Sequence, residues 1–195
     1  MRTGVALHSR GPGTGSFCPE PSYEVVMTEE LPESAARAFD RHDAFERDGN
    51  GFRLTTSRFG GRMTAVDLGG GVAYTLTVRA PTLEAATVDE VGEAVESGWF
   101  DTMRRRLEDA PKATRSDVSL SGFDLEADDD EVVVTFQFEW AGADRAAAIT
   151  KTFAEYVEGT YVESVVPGYD YEGVIGDLLQ GASQGEGGRK GGTPL

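Results

Sequence analysis

The sequence predicts an α+β fold: a five-stranded, mainly antiparallel sheet with helices packed mostly on one face, in the order αβββαββαα. Three observations predict it. Glu131–Trp140 alternates strictly, with Val132, Val134, Phe136, Phe138 and Trp140 on one face and Glu131, Val133, Thr135, Gln137 and Glu139 on the other. That is the pattern of a strand with one face on a core. Glycine- and aspartate-rich breaks recur at short spacing, as hairpins require. Three longer stretches carry apolar residues at helical spacing.

The elements follow in order. Pro32 suits a first helical turn, where its missing N–H costs nothing. Ala35, Ala38, Phe39, His42 and Phe45 then extend a first helix to the break at Asp48-Gly49-Asn50-Gly51. Phe52, Leu54 and Thr56 alternate as a first strand, and Gly60-Gly61 reads as a turn. Arg62–Leu68 and Val72–Arg79 make the next two strands around Gly69-Gly70-Gly71, with Pro81 as the stop. Thr87 and Glu90 have the spacing of a capping box. The second helix is therefore expected to run from there through Val91, Val95, Trp99, Met103 and Leu107 to about Asp109, with a kink at Gly98. Val118–Glu126 is a fourth strand whose apolar phase shifts between Leu120 and Phe123, which predicts a bulge near Ser121-Gly122. Asp128-Asp129-Asp130 turns the chain into Glu131–Trp140, which is expected to bury Phe136 and Phe138. A third helix carries Ile149, Phe153, Val157, Tyr161 and Val165 up to Pro167-Gly168, and Tyr171–Gln180 forms a short fourth.

The composition sets the solvent and the excluded classes. The chain has 195 residues with 34 Asp and Glu against 18 Lys and Arg, a formal charge of −16. Only Lys112, Lys151 and Lys190 are lysines. Residues 1–26 and 181–195 together hold three of the acids and four of the bases, so the acidity belongs to the middle of the chain. A foldable domain this acidic and this poor in lysine fits a cytoplasm rich in K⁺, where the Debye length is about 3 Å at 1 M salt and self-repulsion is screened. A halophile, in particular an archaeon, is the expected source. A basic nucleic-acid surface is not expected, because phosphate binding draws on positive charge. Cys18 is alone, so one chain can form neither a disulfide nor a cysteine metal cage. No apolar run reaches the length of a membrane span.

One domain is expected at 27–180. Residues 1–26, broken by Gly4, Gly11, Pro12, Gly13, Gly15, Pro19 and Pro21, read either as a disordered extension or as sequence upstream of a true start at Met27. The Gly-rich 181–195 reads as a disordered tail. The order of elements over residues 33–166 resembles the type III secretion chaperone-like fold. The Met27-Thr28-Glu29 start, the Phe136-Gln137-Phe138-Glu139-Trp140 strand and the Tyr169-Asp170-Tyr171 segment resemble a small uncharacterised protein family of haloarchaea. Such a family brings no established activity.

No catalytic, cofactor-binding or metal-ligating residue stands out. His42 is the only histidine after residue 8, and it shares a helical face with Phe39 and Phe45, as a structural imidazole would. Asp128-Asp129-Asp130-Glu131 offers oxygen ligands but lacks the spacing of a calcium loop, and reads as an acidic hairpin tip. Gly69-Gly70-Gly71 joins two strands, whereas a phosphate cradle needs a helix N-terminus after it.

The expected function is a non-enzymatic binding or chaperone-like interaction module, with a protein partner or a second copy of itself. Its expected partner surface comprises Arg104, Arg105 and Arg106, the aromatics Trp99, Tyr169 and Tyr171, and the open sheet face with Thr135, Gln137 and Glu139. Arg53, Thr55, Thr75, Thr77 and Arg79 extend that face. The alternative is a carboxylate enzyme, Mg²⁺-dependent in one form, acting on a small phosphorylated substrate. An acid-lined cleft would favour the enzyme, and an apolar patch the module.

Overall fold

A computed structural model describes residues 30–187; the segment 1–26, Met27 and the end of the expected tail lie outside them. Its centre is the strand β6 (Glu131–Trp140), with Val132, Val134, Phe136 and Phe138 all fully buried. On one side it pairs antiparallel with β4 (Val72–Pro81), placing Phe136 opposite Leu76 and Phe138 opposite Tyr74. On the other it pairs antiparallel with β5 (Leu120–Asp128), whose register shifts between Leu120 and Gly122. That is the expected bulge.

The sheet has six strands, not five, in the order β1-β2-β3-β4-β6-β5, and every pairing is antiparallel. The additional strand is β1 (Phe45–Asp48), paired with β2 (Gly51–Leu54). Helix α1 (Glu33–Asp40) stops before His42 instead of continuing to Phe45. The Phe45 amide donates to the His42 carbonyl at 3.0 Å and the Ala44 amide to His42 Nδ1 at 3.3 Å, turning the chain out of the helix. Phe45 falls in phase with both the helical stripe and the strand, so apolar spacing alone could not separate them. Asp48-Gly49-Asn50-Gly51 is then a hairpin turn. Its Gly49 takes φ +59°, which costs a glycine little.

Three further boundaries differ from expectation. The strand β3 begins at Gly60 and runs to Asp67, so Gly60-Gly61 is strand and the turn lies before it. A Cβ on Gly61 would stand 3.2 Å from Leu54 Cβ, a close approach that explains the glycine better than a turn does. The real turn is held by Glu158 of helix α3 (Ala143–Glu163), whose carboxylate accepts from Ser57 Oγ at 2.9 Å and the Arg58 amide at 2.8 Å. Helix α2 runs from Glu93 to Leu107, through Gly98, and does not start at Thr87. The Thr87 hydroxyl donates to the Glu84 and Asp89 carbonyls, and Thr87 forms an isolated bridge with Tyr171, so no capping box forms. Val165 lies beyond α3, and Thr55, beyond β2, donates its amide to Ala44 O. Helix α4 spans Gly173–Gly187 and takes in the first residues assigned to the tail.

The core lies between one sheet face and the helices. Phe39 contacts Phe52 (centroids 5.5 Å) and Tyr74 (6.0 Å), Tyr74 stacks on Phe138 (5.3 Å), and Phe138 meets Phe153 of α3 edge-on (5.5 Å). Ala146, Ile149, Phe153 and Val157 form the buried stripe of α3. The opposite sheet face stays polar. Across it Thr64, Thr75 and Gln137 stand in register, as do Arg62, Thr77 and Thr135.

Candidate functional site

Helix α2 carries Glu93, Glu96, Ser97 and Phe100 at i, i+3, i+4 and i+7, a spacing that sets them on one face. That face does not close completely onto the core. It borders a groove of about 390 Å³ together with Glu84, the buried Val91 and Ala127 near the end of β5. Three segments distant in sequence therefore build it: the 3-10 turn Glu84–Ala86 after β4, the start of α2, and the outer end of β5.

Glu96 positions the turn. Its Oε1 accepts the Leu83 amide at 3.1 Å and its Oε2 the Glu84 amide at 3.0 Å, so one carboxylate satisfies two backbone donors. Burial pushes its pKa up, and the two amide bonds only partly oppose this. Phe100 is half-buried, and the Arg104 guanidinium lies 5.8 Å from its ring centroid at the groove's edge. Glu84 and Glu93 are exposed, and among the described residues neither forms an ion pair and no lysine or arginine lines the groove. The result is an apolar floor of Val91, Phe100 and Ala127 beneath three carboxylates, of which only Glu96 is engaged, by two backbone amides. A ligand with a cationic head and an apolar stem satisfies both parts, as lysine and arginine side chains do. Among the described residues no group of three or more His, Cys, Asp or Glu side chains is arranged to hold a metal ion.

The model of one protein family matches residues 40–181. The chain belongs to DUF5813, a family of unknown function. No curated protein and no solved structure matches it. All the groove residues lie within the DUF5813 span.

The expected partner residues of this DUF5813 chain separate in space. Trp99 is buried at 3% exposure, edge-on to Tyr161 at 5.4 Å, and belongs to the core. Tyr171 is part-buried, and its hydroxyl accepts the Val166 amide at 2.7 Å and donates to the Val166 carbonyl at 3.0 Å, closing the loop between α3 and α4. Tyr169 is also part-buried against the core. The arginine run is three separate clamps. Arg104 donates to the Leu125 carbonyl and lies 3.8 Å from Asp124, tying α2 to β5. Arg105 donates to the Asp101 carbonyl and Thr102 hydroxyl of its own helix. Arg106 donates to the Glu163 carbonyl at 3.2 Å and Ser164 Oγ at 3.3 Å at the end of α3. Thr135, Gln137 and Glu139 do lie together on the open sheet face, with the Gln137 side chain laid over Gly122.

Sequence reasoning missed Glu84, Val91, Glu93, Glu96 and Ala127. The spacing of Glu93, Glu96, Ser97 and Phe100 was the available signal. Among 34 acids, a set of glutamates on a helix face carries little information by itself.

Proposed function

We propose that this DUF5813 chain is a non-enzymatic, chaperone-like binding module that holds a basic, partly apolar segment of a protein partner. One observation carries the reading: an apolar floor at Val91, Phe100 and Ala127 lies under Glu84, Glu93 and Glu96, and among the described residues no lysine or arginine lines the groove, the nearby Arg104 being engaged by the Leu125 carbonyl and Asp124. The floor supplies affinity through burial, at about 25 cal/mol per Å² of apolar area, and the rim selects the charge. Glu96 is the strongest selector, because its carboxylate is part-desolvated and a nearby ammonium or guanidinium favours the ionised form. The acidic, lysine-poor surface supports a cytoplasm of high K⁺, as in a halophilic archaeon, as the working solvent. In that solvent exposed ion pairs are screened, so the desolvated floor and Glu96 carry the selectivity.

The test is fluorescence anisotropy with a labelled amphipathic peptide of alternating leucine and lysine turns, titrated at 0.15 M and 2 M KCl. Saturable binding is expected, with no binding of the same peptide carrying glutamate for lysine. Ala127→Arg places a guanidinium beside the rim and should weaken binding at least ten-fold. Equal affinity of Ala127→Arg and the unaltered protein would remove the groove as the site.

A further inference from the structure

A second cavity has the opposite character. It is an open concavity of about 230 Å³ between the loop after the 3-10 turn Ala110–Ala113 and the first turns of α3, and both of its arginines are exposed. Arg115 and Ser116 contribute from the loop, and Arg145, Ala148, Ile149 and Thr152 from one face of α3. No aspartate or glutamate lines it. In a chain with nearly two acids for every base, a concavity holding two arginines and no carboxylate runs against composition.

The arginines themselves are unusual in the same way. Arg37, Arg41, Arg47, Arg53, Arg62, Arg79, Arg104 and Arg106 each pair with a carboxylate, and so do Lys112 and Lys151. Arg105 donates to its own helix. Among the described lysines and arginines only Arg58, Arg115 and Arg145 hold neither a side-chain hydrogen bond nor an ion pair, and two of these three line one cavity. The neighbouring acid Asp144 is engaged by Arg41 at 2.8 Å, and Asp117 does not line the cavity. The Ser116 hydroxyl is likewise without a partner, whereas Thr152 donates to the Ala148 carbonyl. The loop is held in place from within, since the Thr114 hydroxyl donates to the Pro111 and Ser116 carbonyls and accepts the Ser116 amide.

We propose that Arg115 and Arg145, with the Ser116 hydroxyl, form an oxyanion site that takes a phosphate group. Two guanidiniums supply ten N–H donors in planar forks and match the charge of a phosphate dianion, and each fork can engage two oxygens. At about 230 Å³ the cavity has room for the phosphate and for part of whatever carries it. This site is distinct from the glutamate-rimmed groove and independent of its reading.

The test is thermal unfolding of the full chain in inorganic phosphate and, separately, in glycerol 3-phosphate, each against KCl at matched ionic strength. A bound ligand raises the midpoint with a saturable dependence on concentration. Exclusion of phosphate from the protein surface raises it without saturation, and equally in every variant. The unaltered protein should show the saturable rise. Arg115→Ala and Arg145→Ala should each weaken apparent affinity about ten-fold or more. The double variant should lose the rise, and Arg58→Ala should keep it. Because neither arginine has a side-chain partner among the described residues, both variants should unfold at the unaltered midpoint in KCl. Stronger saturation by glycerol 3-phosphate assigns a phosphate monoester, and stronger saturation by inorganic phosphate assigns the free ion. The site is refuted if the double variant keeps the saturable rise or if the unaltered protein shows none.

Discussion

Replacing Tyr74 by phenylalanine should stabilise the protein. Tyr74 is fully buried at the middle of the aromatic stack, between Phe39 and Phe138, and its hydroxyl has no hydrogen-bond partner. Burying a hydroxyl without a partner costs about 1 to 3 kcal/mol. Its removal leaves a gap of one oxygen, which costs less than about 1 kcal/mol at ~24 cal/mol per Å³. The net expectation is a gain of about 1 kcal/mol, or about 2 to 4 °C for a domain of this size. Urea unfolding should show a higher midpoint at unchanged slope. The pH dependence provides a second readout. Burial pushes the Tyr74 pKa from 10.0 up to about 12, so the unfolded chain loses this proton first. Its contribution is fully present below pH 10 and is lost as pH rises towards 12, about 2 to 3 kcal/mol in all. Tyr74→Phe should flatten that alkaline loss, while Tyr161 and Tyr171, also raised by burial, retain theirs. A destabilised Tyr74→Phe variant with an unchanged alkaline slope would show that the hydroxyl is satisfied, and the reasoning would fail.

Other substitutions probe the groove and the scaffold. Glu96→Gln turns an amide N–H₂ towards one of the two backbone amides that Glu96 now accepts, and should cost about 1 to 2 kcal/mol in urea unfolding. Asp129 takes φ +50° at the β5–β6 turn; Asp129→Gly should stabilise by about 0.5 to 1 kcal/mol, and Asp129→Val should destabilise by a similar amount or more. Arg104→Ala and Arg106→Ala each break a tie between elements and should cost about 1 kcal/mol, whereas Arg105→Ala should stay within about 0.5 kcal/mol, as thermal melts would show.

What could be read from the sequence depended on how local the determining contact was. The alternation of Glu131–Trp140 survived unchanged, because burial of one strand face imposes a period of two regardless of neighbours. The bulge at Leu120/Gly122 was also legible, as a phase shift within a single strand. Phe45 was not, because it satisfies the helical and the extended pattern equally. Thr87 and Glu90 had the right spacing for a cap, but Val88 donates to the Asp170 carbonyl at 3.0 Å and Glu172 to the Ala86 carbonyl at 2.9 Å. Those bonds come from some 80 residues away and hold the segment extended. The groove failed to show for the same reason: its floor joins residues 91, 100 and 127, which no local period relates.

Charge scarcity makes the arginines more informative than the acids. With so many carboxylates available, most of the described basic side chains find one, and several clamp elements together: Arg41 joins α1 to α3, Arg47 reaches Asp40, and Arg79 holds both Asp128 and Glu131 at the β5–β6 turn. At high salt such exposed pairs contribute little energy each, yet they use up the chain's few cations. An arginine left unpaired in that setting gives up an interaction available almost everywhere on the surface. Two left unpaired around one acid-free cavity are harder to explain as chance than any number of unpaired glutamates. The glutamate-rimmed groove must therefore be judged by its apolar floor, and the arginine cavity by its charge.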